Sequence, residues 1–63
     1  MQTQILEDYA TRDELAAELR KSVKTLVRWE KDGKGPPVTR LGREVFYYRP
    51  STQKWLRSRE SAA

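Results

Sequence analysis

The sequence predicts a mainly α domain with one small β-hairpin, in the order helix, helix, hairpin, helix. Three observations carry this. Two short apolar-periodic stretches between residues 11 and 33 each open on a hydroxyl residue suited to a helix N-cap. Gly35-Pro36-Pro37 then stops any helix, and "PVTRLGREVFYYRP" sets β-forming residues on either side of a glycine. Finally, "PSTQKWLRSRE" restarts a helix behind Pro50, a residue suited to a first helical position. These limits divide the chain into an N-terminal segment (1–10), one domain (10–60) and a frayed tail (61–63).

The first helix is announced by Thr11 and Glu14, the S/T-x-x-E spacing of a capping box, with Asp13 and Glu14 placed where the helix dipole favours negative charge. Leu15, Ala16 and Leu19 make a narrow apolar stripe, and the small Ala16-Ala17 pair leaves room for a close neighbour. Arg20-Lys21-Ser22 interrupts it, and Ser22 caps a second helix that runs to Lys31 or Asp32 and stops at Gly33. Leu26 and Trp29 share its inward face, while Lys24 and Arg28, four apart, share another. In the hairpin, Val38-Thr39-Arg40 and Glu44–Tyr48 are the expected strands around Leu41-Gly42-Arg43. Side chains alternate, so Val45 and Tyr47 are expected to face the core and Phe46 and Tyr48 to face away. Thr52, Trp55 and Leu56 form the expected inner face of the last helix. Two helices joined by about three residues and followed by a hairpin give a winged helix-turn-helix arrangement.

Composition narrows the function. At 63 residues there is room for one domain with a marginal core. Without cysteine there is neither disulfide nor thiolate metal site, and without histidine the commonest metal ligand and general base are missing. No carboxylate pair or nucleophile suggests an enzyme, and no metal or other cofactor is expected. Apolar runs of two or three residues and an N-terminus without a basic and an apolar region point to a cytoplasmic protein with no membrane partner. The net charge of +4 is unevenly placed. Residues 1–18 set Glu7, Asp8, Asp13, Glu14 and Glu18 against Arg12 alone, whereas residues 19–63 hold twelve Lys and Arg against Glu30, Asp32, Glu44 and Glu60. Such asymmetry points to a polyanionic partner, with a solvated surface as the plainer alternative.

Residues 10–57 resemble the small winged helix-turn-helix proteins of the excisionase and MerR-like group. The resemblance is carried by Ala16-Ala17, the turn residue Ser22, Thr25-Leu26-Val27-Arg28-Trp29, Gly35-Pro36-Pro37 and Gly42-Arg43. The chain departs from that pattern at Arg20-Lys21, where the family often has Gly-Val, and at Val27, a position often aromatic or polar. The resemblance implies double-stranded DNA binding without catalysis, the second helix entering the major groove and the wing lying along the backbone or in the adjacent minor groove. Excisionases bend DNA and direct integrase-mediated excision. MerR-type regulators add a dimerisation helix and an effector site. Since the chain ends just after the third helix, the excisionase branch or a minimal phage- or plasmid-type regulator is expected, with no small-molecule effector. An integrase and further copies of the chain on DNA are the expected partners.

Lys24, Thr25 and Arg28 are the first candidates for base and phosphate contact, since Arg reads guanine bidentately and Thr suits a phosphate or a thymine methyl. Their structural alternative is an exposed helix face steadied by local pairs with Glu30. Ser22 serves as a cap, a phosphate contact or both. On the wing, Arg40 and Arg43 suit a narrow minor groove, or alternatively protect a strand edge. Tyr48, if outward, suits a phosphate; Arg20 and Lys21 at the turn are within the same reach. Trp29 and Trp55 are expected to pack rather than to stack on bases. A promoter-binding regulator using the same surface, and a basic module that docks an acidic protein, are the competing functions.

Overall fold

A computed structural model describes residues 4–60. The chain forms three helices and a three-stranded antiparallel sheet, a mixed α/β domain. Strand β1 (Tyr9–Thr11) runs directly into helix α1 (Arg12–Leu19). Thr11 closes the strand and caps the helix: its hydroxyl accepts from Glu14 N–H at 3.1 Å, and its own N–H donates to Glu14 Oε1 at 3.0 Å. This is the predicted capping box. Helix α2 (Val23–Lys31) starts at Ser22, whose hydroxyl accepts from Thr25 N–H at 3.1 Å. The hairpin of β2 (Thr39–Leu41) and β3 (Glu44–Tyr48) follows, and then α3 (Arg49–Ser58). Pro50 lies in the first turn of α3, where its missing N–H costs nothing.

Helices α1 and α2 end in the same way. After α1, Lys21 N–H donates to Ala16 O at 2.9 Å and Arg20 N–H to Ala17 O at 3.1 Å. After α2, Lys34 N–H donates to Trp29 O at 2.9 Å and Gly33 N–H to Glu30 O at 3.1 Å. Both are Schellman motifs, whose pivot residue takes the left-handed conformation. The pivots are Gly33, at φ 69°, and Arg20, at φ 60°.

The sheet order is β1-β3-β2. Strand β1 pairs Tyr9 with Tyr48, Ala10 with Tyr47 and Thr11 with Phe46; β2 pairs Thr39 with Phe46, Arg40 with Val45 and Leu41 with Glu44. The hairpin expected from the sequence is therefore the larger part of a sheet whose third strand was not predicted, and the fold is less purely helical than expected. A domain limit at residue 10 would cut through β1, whose Ala10 is 0% exposed. Strand β2 also lies one residue later than expected, leaving Gly42-Arg43 as a two-residue turn. Only Gly42 there has positive φ, 62°, the pattern of a II′ hairpin.

Ala10, Leu15, Ala16, Leu26 and Tyr47 form the buried core, with Leu19, Trp29, Val38 and Val45 packed around it. Val45 and Tyr47 face the helices as predicted. Phe46 points the other way, yet is buried, because Thr11 and Thr39 flank it on the two neighbouring strands. Leu56, expected inward, is half exposed at 51%, and Ala17 is exposed while Ala16 is buried. Trp29 and Trp55 pack α2 on α3 with ring centroids 5.6 Å apart, and Trp55 Nε1–H donates to Lys34 O at 2.9 Å. Gly35 passes so close to Trp29 that a Cβ on it would lie 3.1 Å from Trp29 Cβ. The tail at 61–63 and the first three residues lie outside the described residues. None of the described helices is long and apolar enough to cross a membrane.

One buried group is left without compensation. Thr52 is 6% exposed, and its hydroxyl has no hydrogen-bond partner among the described residues. Replacing that hydroxyl with a methyl of similar shape removes a desolvated polar group. Thr52→Val is expected to stabilise the domain by about 1 kcal/mol, raising its thermal midpoint by roughly 4–8 °C. Thermal unfolding followed by circular dichroism checks this.

Candidate nucleic-acid interface

Helix α2 is strongly two-sided. Leu26 is buried and Trp29 half-buried, and Glu30 turns inward with them. The opposite side carries Lys24, Arg28 and Lys31, all exposed, at i, i+4 and i+7. Val27 and Val23 edge this basic stripe, and Ser22, Lys24, Val27, Arg28 and Lys31 line one shallow groove along the helix. Lys31 was not among the residues singled out from the sequence, although its spacing from Lys24 and Arg28 is the signal that finds it.

Thr25 sits on the shoulder rather than on the crest. It is half-buried, and its hydroxyl lies 3.0 Å from Ser22 Oγ. Ser22 is thus engaged twice, by Thr25 N–H and by the Thr25 hydroxyl, and acts first as a cap. Arg20 and Lys21 are exposed and adjoin the N-terminus of α2. They flank a helix start that has no acidic residue in its first turn, unlike α1 with Asp13 and Glu14.

The hairpin residues separate into different roles. Arg43 occupies the turn, exposed, with no ion pair among the described residues. Arg40 pairs with Val45 on the helix-facing side, and its guanidinium donates to Glu30 Oε2. Tyr48 lies at the far end of β3, roughly 13 Å from the turn at the usual rise per residue. It stacks against Tyr9 with centroids 5.1 Å apart and planes tilted by 40°. Arg43, Arg40 and Tyr48 therefore do not form one wing-tip cluster. Val23, at the start of α2, lines a second groove with Glu44 and Val45, so the α2 surface borders the hairpin directly.

Glu30 is the polar hub beneath this surface. Its Oε1 accepts from Arg12 Nη2 and its Oε2 from Arg40 Nη2, while Arg12 Nε–H donates to the Tyr47 hydroxyl at 3.2 Å. Burial pushes the Glu30 carboxyl up, but the two guanidiniums together outweigh it and hold the group below the usual carboxylate range. Arg12 is pushed down by burial and more than restored by Tyr47 and Glu30, so it stays charged. On the other side of the domain, Arg49 clamps Glu18 with two hydrogen bonds of 2.8 and 3.0 Å, joining α3 to α1 and lowering the Glu18 pKa. With Glu30 turned to Arg12 and Arg40, the local pairing expected to steady Lys24 and Arg28 is absent, and neither cation has an ion-pair partner among the described residues.

Compared with protein-family models, curated proteins and solved structures, the chain matches none.

Two expectations follow from this geometry. In L-residues the left-handed conformation costs about 1–2 kcal/mol, part of which glycine gives back through its larger unfolded-state entropy. Arg20→Gly is accordingly expected to stabilise the domain by about 0.5–1 kcal/mol in urea unfolding, and no change or a loss would show that the Arg20 side chain packs favourably. The second concerns acid. Because the folded Glu30 value is depressed, its contribution is fully present above the ordinary value of 4.5 and is lost as the pH falls through the folded value. Urea unfolding between neutral and strongly acidic pH should show stability falling below about pH 4.5, with a smaller acid loss in Glu30→Gln.

Proposed function

We propose that this domain is a winged helix-turn-helix module that binds double-stranded DNA in a sequence-specific manner and performs no catalysis. Helix α2 enters the major groove and the β2–β3 hairpin serves as the wing. One observation carries the proposal: Lys24, Arg28 and Lys31 form an exposed stripe on α2 with no ion pair among the described residues, Glu30 being turned inward and the C-cap Asp32, which lines the same groove, making no ion pair with them. A stripe kept for helix stability would draw on i, i+4 pairing, and this one does not. The ordered resemblance to the excisionase and MerR-like group supports the same conclusion.

In this role Arg28 and Lys24 contact base edges, and Lys31, Arg43, Arg20 and Lys21 neutralise phosphates. The capped N-terminus at Ser22 presents backbone N–H groups to a phosphate. Phosphate contacts supply most of the affinity and its salt dependence, and each good bidentate base contact adds roughly 1–3 kcal/mol of discrimination. A single module of this kind buries about 600–1,000 Å² of protein surface. Affinity from one copy is therefore modest, and adjacent copies on repeated sites raise occupancy and bend the duplex. Within this class we favour an excisionase-type architectural factor acting beside an integrase, over a promoter-binding regulator that uses the same surface.

Gel-shift titration over DNA flanking the coding gene and the nearest integrase attachment site tests this. Laddered, salt-sensitive shifts are expected, with Arg28→Ala weakening specific binding by about tenfold or more. A site beside the attachment sequence supports the excisionase role, and a site confined to a promoter supports the regulator. Absence of any salt-sensitive shift, or an unchanged shift in Lys24→Ala and Arg28→Ala, overturns DNA binding through α2 and points to an acidic protein partner.

A further inference from the structure

We propose that Glu30 withholds Arg40 from DNA and thereby limits sequence-independent binding. This rests on the DNA-binding function proposed above. Arg40 lies two residues before the hairpin turn with its side chain 59% exposed, a position from which a cation would ordinarily reach a phosphate. Its guanidinium is instead drawn back to Glu30 Oε2.

Glu30 is well placed to hold it. The carboxylate is shielded to 22% exposure, and its other oxygen is fixed by Arg12, itself held by the hydroxyl of the buried Tyr47. Through Tyr47 this anchor belongs to the central strand of the sheet. Moving Arg40 to a phosphate would leave Oε2 of a partly desolvated carboxylate unpaired, a cost that a freely solvated acid would not impose. No comparable restraint acts on Lys24, Arg28 or Lys31 among the described residues.

The consequence is a matter of specificity. A phosphate contact strengthens binding to every sequence alike and so lowers the ratio of specific to non-specific affinity. With Arg40 engaged by Glu30, the domain gives up one such contact and retains a hairpin tied to α2. Glu30 is thus a positioning residue: it touches no base or phosphate, and it sets which cations do.

The test is the slope of log binding constant against log salt, measured on a random-sequence duplex and on a selected site. The unsubstituted chain, Arg40→Ala, Glu30→Gln and the double variant are compared, each checked for folding by circular dichroism. Arg40→Ala is expected to leave the slope unchanged. Glu30→Gln should steepen it by about 0.9 and tighten random-sequence binding roughly five- to tenfold near 0.1 M salt, the gain from one added phosphate contact. The double variant should return to the slope of Arg40→Ala. The proposal is overturned if Arg40→Ala alone is shallower by about 0.9, since Arg40 would then already lie on a phosphate. It is equally overturned if the double variant stays as steep as Glu30→Gln, because the loss of the carboxylate charge would then account for the gain. Should Glu30→Gln not fold, the slope of Arg40→Ala decides alone. Absence of salt-dependent binding by the unsubstituted chain is a separate result, and it removes the DNA-binding function itself.

Discussion

The Tyr47 side chain sits 1% exposed in the central strand, directly opposite Ala10 on β1, and its hydroxyl accepts from Arg12 Nε at 3.2 Å. A domain of this size has only a marginal apolar core. Tyr47 answers that shortage by joining the two kinds of cohesion available. Its ring fills the space between the sheet and the helices, and its hydroxyl orients the guanidinium that reaches Glu30 on α2. The position of α2 relative to the sheet is therefore set by a chain of directed contacts as well as by Leu26. Directed contacts fix rotation about a helix axis more sharply than a few apolar side chains do, and that rotation decides which residues of α2 face outward.

The uneven charge of the sequence takes on a physical meaning in this light. The acidic first third is largely consumed in folding: Glu14 completes the α1 capping box, Asp13 lies in the first turn of α1, and Glu18 clamps Arg49. Glu30, one of four acids in the basic remainder, is spent on Arg12 and Arg40. Of the cations left over, Lys24, Arg28 and Lys31 lie on α2, Arg20 and Lys21 at the turn before it and Arg43 at the tip of the hairpin, while Lys34, Lys54, Arg57 and Arg59 lie elsewhere. An exposed ion pair contributes little to stability. What the Glu30 pairs contribute here is placement, since they turn a carboxylate of α2 away from the unpaired stripe.

Much of this was legible in the sequence, because the relevant signals are local. Thr11 with Glu14, Ser22, Gly33 and Pro50 are cap and stop signals that act within one turn; they set the start of α1 and both ends of α2, while α3 begins at Arg49, one residue before Pro50. Strand β1 was not legible. Three residues, Tyr9-Ala10-Thr11, have no periodicity of their own, and their extended form comes from pairing with β3, thirty-five or more positions away. Phe46 follows from the same omission: a side chain on the outer face of a two-stranded hairpin is exposed, whereas in the middle of three strands it is covered by Thr11 and Thr39. On the candidate surface, Lys24 and Arg28 could be placed from the helical period, but the capture of Arg40 by Glu30 could not. Residue spacing does not reveal that β2 brings residue 40 against the inner side of α2. Tyr48 faces outward as expected, but its neighbour Tyr9 belongs to the strand that the sequence does not announce.

The two Schellman motifs allow one further step. They share hydrogen-bond pattern and pivot angle, yet one uses Gly33 and the other Arg20. Glycine serves the geometry at less cost, so the arginine opposes folding at its own position. Its neighbourhood compounds that cost. Arg20, Lys21 and Lys24 crowd the N-terminus of α2, the positive end of its dipole, and no acidic residue in the first turn offsets them. Helix α1 shows the opposite choice, with Asp13 and Glu14 at the corresponding place. Local backbone strain and unfavourable dipole electrostatics thus coincide at the start of α2, whose outer face is basic and without ion pairs among the described residues. A polyanion lying across that end relieves the electrostatic part of the cost and gives the arginine a partner.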